Sequence, residues 1–123
     1  MKILIIDDEV ILAKAIQRAF QKKGYEVFLG QTGAEGLKLW VELQPVLVLL
    51  DVIMPEFTGP QVLKEMQTKH PDILEQAKVV MMTAQSGIKT KDEAVALGAH
   101  EFLKKPFNDI FKIVENLEKL IAS

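Results

Sequence analysis

Short apolar runs alternate with amphipathic stretches along the chain, and the alternation predicts its elements. Lys2–Ile6 (KILII) is apolar on both faces, which predicts a strand buried in a parallel sheet. Asp7, Asp8 and Glu9 end it. Ile11, Leu12, Ala15, Ile16, Ala19 and Phe20 then fall three and four apart, the spacing of a helix face, and Gly24 stops that helix. Tyr25–Leu29 predicts a second strand. Residues 32–43 predict a second helix, with Thr32 as N-cap, Glu35 completing a capping box and Pro45 ending it.

Val46–Leu50 (VLVLL) is the most apolar run, which predicts the centre of the sheet, and it leads into Asp51. After a loop containing Met54-Pro55, Gly59-Pro60 opens a third helix reaching about Thr68; Pro60 sits in the first turn, where a missing N–H costs nothing. Lys78–Met82 predicts a fourth strand ending at Thr83, and 88–97 a weaker helix stopped by Gly98. His100–Leu103 predicts a fifth strand leading to Lys104-Lys105-Pro106. Asp109 caps a last helix striped by Ile110, Ile113, Val114, Leu117, Leu120 and Ile121. Five strand–helix units in succession predict an α/β fold, a five-stranded parallel sheet doubly wound with helices on both faces.

Composition narrows the function classes. With 123 residues there is room for one domain, taken as 1–123, and 49% hydrophobic residues exclude a disordered chain. Without cysteine there is no disulfide, thiolate metal site or cysteine nucleophile. A net charge of −2 carries no basic excess for a polyanion, so no direct nucleic-acid contact is expected. No apolar run reaches the ~20 residues of a membrane helix, and the N-terminus lacks a secretory pattern, so the expected place is the cytoplasm.

In open α/β sheets ligands bind beyond the carboxyl ends of the strands. Asp7 and Asp8, Asp51, Thr83, and Lys104-Lys105 all fall there. Three clustered carboxylates call for a cation, and all-oxygen donors suit Mg²⁺. An ammonium and a hydroxyl beside them suit phosphate oxygens. A carboxylate can itself be the nucleophile that forms an aspartyl phosphate, and Asp51, ending the central strand, is the candidate. No glycine-rich phosphate loop is present, which argues against a nucleotide ligand.

These features together resemble the receiver domain of bacterial two-component response regulators. The resemblance spans the whole chain and rests on Ile6-Asp7-Asp8-Glu9, Leu50-Asp51-Val52-Ile53-Met54-Pro55, Gly59, Met82-Thr83-Ala84 and Phe102-Leu103-Lys104-Lys105-Pro106-Phe107. It implies a flavodoxin-like (βα)5 fold and Asp51 as the acceptor of a phosphoryl group from a sensor histidine kinase or phosphotransfer protein. It further implies Mg²⁺ held by Asp7, Asp8, Asp51 and the Ile53 carbonyl. Lys105 would pair with the phosphoryl group, with Lys104 as a bystander. Thr83 would be the switch hydroxyl and Phe102 the switch aromatic. A downstream protein would bind through the 88–122 region, and the chain would be a monomer or a phosphorylation-dependent dimer. The residues two beyond the acceptor and the hydroxyl, Ile53 and Gln85, tune dephosphorylation in such domains; Ile53 cannot orient a water, which implies slow loss of the phosphoryl group.

Plainer readings stand beside these. Asp7-Asp8 suits a helix start and Asp51 a loop. Gly59 and Gly98 can simply supply positive φ or end a helix. His70 and His100 read as surface residues, Trp40 as packed against the sheet, Met81-Met82 as strand core, and Lys89, Lys91 and Asp92 as a solvated face. The rival functions are a phosphorylation-independent interaction module and an aspartyl-nucleophile phosphohydrolase; the latter usually carries a D-x-D first strand and a cap domain, both missing from this pattern.

Overall fold

The computed structural model describes residues 1–84 and 90–123; the expectations placed on Gln85, Ile88 and Lys89 lie outside the described residues. Along the chain run β1 (Lys2–Ile6), α1 (Val10–Gln21), β2 (Glu26–Gly30), α2 (Gly33–Leu43), β3 (Leu47–Asp51), α3 (Gly59–Lys69), α4 (Pro71–Glu75), β4 (Lys78–Thr83), α5 (Lys91–Ala96), β5 (Glu101–Lys104) and α6 (Ile110–Ala122). The strands form one parallel sheet in the order β2-β1-β3-β4-β5, the predicted flavodoxin-like arrangement.

Strand alternation divides the apolar residues into two cores. Ile3, Ile5, Leu47, Leu49, Val80 and Met82 face α1 and α6, where Ile16, Phe20, Val114 and Leu117 close over them. Leu4, Ile6, Val48, Leu50, Val79 and Met81 face the other way, covered by Trp40 from α2, Val62, Leu63 and Met66 from α3, and Ala94 from α5. Burial on both faces explains why these strands read as unbroken apolar runs. Trp40 and Met81-Met82 are core, as expected. The chain leaves β1 in one direction to build β2 and returns to the other side of β1 to build β3, so the switch point lies between the carboxyl ends of β1 and β3.

Several boundaries move. Tyr25 precedes β2: its ring meets Phe20 edge-on, with centroids 5.5 Å apart, and its hydroxyl donates to Glu118 Oε2 at 3.0 Å. β3, β4 and β5 each run one residue further than predicted, so Asp51 pairs with Met82 and Thr83 with Lys104 in the ladder. Their backbones are therefore held by the sheet rather than by loops. The expected capping box at α2 is half formed. Thr32 Oγ1 accepts from the Glu35 N–H at 3.0 Å, but Glu35 Oε1 accepts from the Gln31 N–H at 2.7 Å instead of from Thr32. A reciprocal box closes at α3, between Thr58 and Gln61. The single turn α4, unpredicted, tucks Ile73 and Leu74 against the core; two apolar residues are too few to show a helical period. Among the described residues α5 runs from Lys91 on its Thr90 cap. His70 is half-buried where α3 meets α4 rather than free on the surface. His100 is exposed, yet its Nδ1 accepts the Val79 N–H at 3.0 Å.

Candidate functional site

The candidate site is built at the switch point. Past the end of β1, the Asp7 N–H still donates to Gly30 O at 3.0 Å, so the sheet continues to hold the backbone there. The Asp7 carboxylate then serves two neighbours. Oδ1 accepts the Glu9 N–H at 2.9 Å at the start of α1, and Oδ2 accepts from Lys105 Nζ at 2.8 Å. The helix-cap reading of Asp7-Asp8 does not hold: the N-cap residue of α1 is Glu9, no side chain caps the helix, and at the helix start Asp7 accepts only the N–H of that cap residue. Asp8 is exposed beside it.

Asp51, at the end of the central strand, is buried, and so are Asp7, Thr83 and Lys105; they are the buried polar and charged residues among those described. One oxygen from each of Asp7, Asp8 and Asp51 falls within 4.8 Å of the others. Lys105 Nζ approaches Asp51 Oδ2 at 3.6 Å, and its backbone N–H donates to Thr83 O at 2.8 Å, tying the ends of β4 and β5 together. Lys104 is exposed, whereas Lys105 is buried. Phe102 is half-buried against the α2–α3 core. It pairs with Met81 across the β4–β5 ladder, so strand alternation puts Phe102 and Thr83 on the same face of the sheet. Ile53 stands at the rim, 54% exposed.

Charge and burial act in opposite directions here. Burial pushes the Asp51 carboxyl up to about 7, and the nearby Asp7 charge adds to the effect; Lys105 and the Ile53 N–H pull the other way without prevailing. Burial disfavours the Lys105 charge, but hydrogen bonds to Asp7 and Glu9 outweigh it and raise that ammonium above its ordinary value. Glu9, given no role in the sequence, proves to be part of the cluster: its Oε1 accepts from Lys105 Nζ at 3.0 Å. Only a contact between residues 96 apart in the chain reveals it.

Gly59 is needed for space and not for positive φ, which corrects the reading from sequence. The positive-φ glycines are Gly24 and Gly98, whereas a Cβ on Gly59 would lie 2.3 Å from Asp51 O. Gly59 lets the start of α3 close on the strand that carries Asp51, with its N–H donating to Val52 O at 3.0 Å. Gly59→Ala is expected to destabilise the fold by about 2–3 kcal/mol, read as a lower urea midpoint with the slope unchanged.

The donor set fits a hard divalent cation. Three carboxylates supply oxygen alone, and the nearby ammonium leaves the group anionic. No helix among the described residues is long and apolar enough to cross a membrane.

The family model described as the response regulator receiver domain matches residues 3–118. The regulatory protein AtoC of Escherichia coli is 35% identical over 107 residues, covering 87% of this chain but only 22% of that protein. The chemotaxis protein CheY of Listeria monocytogenes is 32% identical over 120 residues, 97% of each chain. Among solved structures, the response regulator TrrA of Thermotoga maritima in complex with Mg²⁺-BeF superposes with a TM-score of 0.78, at 32% identity over 97% of each chain.

Proposed function

The chain belongs to the response regulator receiver domain family, and on that premise we propose that it is a phosphorylation-controlled switch of a two-component system with Asp51 as its phosphoacceptor. A receiver domain is a signalling module and not an enzyme with turnover of its own. The observation that supports the reading most strongly is the buried Asp51 carboxylate at the switch point, clustered with Asp7 and Asp8 and faced by the Lys105 ammonium.

In this reading an Asp51 oxygen attacks the phosphorus of a phosphohistidine on a histidine kinase or phosphotransfer protein. The P–O bond forms as the P–N bond breaks, and the imidazole leaves with the bonding electrons and takes up a proton. Lys105 and Thr83 receive the phosphoryl oxygens. Asp7, Asp8, Asp51 and the Ile53 carbonyl would hold Mg²⁺, which supplies charge neutralisation when bound. The relative crystallised with Mg²⁺-BeF supports that assignment. Thr83 then shifts toward the phosphoryl group and Phe102, on the same face, packs into the space it leaves. The surface of α5, β5 and α6 moves with it, a population shift between two packings that a downstream protein reads.

The donor docks beside α1. A cavity lined by Glu9, Leu12, Ala84, Lys105, Pro106 and Phe107 adjoins the site, and Ile11, 89% exposed, stands on the same helix. The working place is the cytoplasm, and the switch acts through protein partners without touching nucleic acid. Whether it dimerises on phosphorylation is read directly by light scattering with and without phosphodonor.

Intact mass after incubation with Mg²⁺ and a small-molecule phosphodonor tests the reading. A Mg²⁺-dependent gain of one phosphoryl group is expected; no gain from either the small donor or a histidine kinase would contradict it. Ile53 offers nothing to orient a hydrolytic water, so Ile53→Asn is expected to speed loss of the phosphoryl group about tenfold, measured as the decay of the phosphorylated mass.

A further inference from the structure

Lys105 Nζ faces three carboxylates at unequal distances: Asp7 at 2.8 Å, Glu9 at 3.0 Å and Asp51 at 3.6 Å. Asp7 and Asp51 belong to the cation cluster; Glu9 does not. The Lys105 and Asp7 side chains are almost fully buried, whereas that of Glu9 is 57% exposed. The Glu9 backbone is fixed all the same, because its N–H donates to Asp7 Oδ1 at 2.9 Å. Its carboxylate is thus a rim group held by its own backbone within reach of the lysine.

We propose that Glu9 is a positioning residue that tethers Lys105 in the unphosphorylated state and competes with the incoming phosphoryl group for its ammonium. The inference rests on the proposed function. Lys105 has three N–H donors. In this structure the shorter contacts go to Asp7 and Glu9, and Asp51 receives the longest. To engage a phosphoryl oxygen on Asp51, the ammonium must shift toward the third strand and loosen its hold on the rim. Asp7 is buried and remains a partner throughout, but Glu9 can turn to water at little cost, which makes it the releasable contact. Glu9 therefore sets the resting threshold of the switch without contacting the phosphoryl group.

The test measures binding of beryllofluoride, a phosphoryl mimic, at saturating Mg²⁺ in wild type, Glu9→Gln, Lys105→Met and the double variant. Glu9→Gln is expected to tighten binding about two- to fivefold, the range that an ion pair with one exposed partner supports. The gain should vanish in the Lys105→Met background. Equal tightening in both backgrounds would mean that Glu9 repels the anion by charge alone, and would overturn the inference. Weaker or unchanged binding in Glu9→Gln would also overturn it. If Lys105→Met does not fold, Glu9→Asp makes the separation: it keeps the charge and shortens the reach, and the inference requires it to bind like Glu9→Gln. Wild type that neither binds beryllofluoride nor takes up a phosphoryl group would defeat the proposed function itself, whereas wild type that does both while Glu9→Gln matches it would defeat only the tether.

Discussion

Asp51→Asn is expected to lower phosphoryl uptake by more than about a thousandfold, since the amide is no nucleophile and nothing else in the cluster replaces it. The same substitution should stabilise the metal-free fold. Folded Asp51 keeps its proton up to about pH 7 because it is buried beside Asp7, against about 4 for an unfolded aspartate. Between those values the folded state binds more protons than the unfolded one. The stability associated with protonated Asp51 is complete below about pH 4 and is lost as pH rises through about 7. Full conversion of that displacement would be about 4 kcal/mol; with solvent reaching the cluster on the exposed Asp8 side, the expected gain for Asp51→Asn at pH 8 is about 1–2 kcal/mol. Urea titrations in chelator at pH 5 and pH 8 check this. Wild type should lose stability across the interval relative to the variant, and parallel curves would show that Asp51 ionises normally. The raised Lys105 titrates above this interval and leaves the comparison unchanged.

Lys105→Met should have the next largest effect, and it acts on stability and switching together. Removing the ammonium leaves Asp7 and Asp51 buried at the switch point without their cation. Loss of one partner from a buried ion pair is costly, and here about 2–4 kcal/mol is expected in chelator. A divalent cation supplies the missing positive charge, so saturating Mg²⁺ should restore most of that loss. Phosphoryl uptake should persist at a reduced rate, while the surface of α5, β5 and α6 should no longer respond, as seen in amide spectra with and without beryllofluoride. A destabilisation untouched by Mg²⁺ would show that Lys105 serves packing more than charge.

The fold was legible because its strands are apolar on both faces. Val46–Leu50 stood out as central, and four of its residues, Leu47 to Leu50, are completely buried. Boundaries were less legible, since a ladder that runs on through Asp51 and Thr83 is set by pairing with neighbouring strands and not by hydrophobicity. α4 gave no period to read, and the box expected at Thr32 closed at Thr58 because Glu35 found the nearer donor of Gln31. The structure brings Asp7, Asp8, Asp51, Thr83 and Lys105 to one edge, because strand order alone dictates which residues share the carboxyl ends. Glu9 escaped because its partner lies near the other end of the chain. Gly59 was misread because a close approach to Asp51 O leaves no mark on a sequence.

The most direct test of the central claim locates the phosphoryl group. Borohydride reduces an aspartyl phosphate to homoserine, so reduction after phosphotransfer, followed by peptide mass analysis, identifies the acceptor. Homoserine is expected at position 51 and nowhere else, dependent on Mg²⁺. Modification at Asp7, Asp8 or a residue outside the cluster, with Asp51 intact, would contradict it.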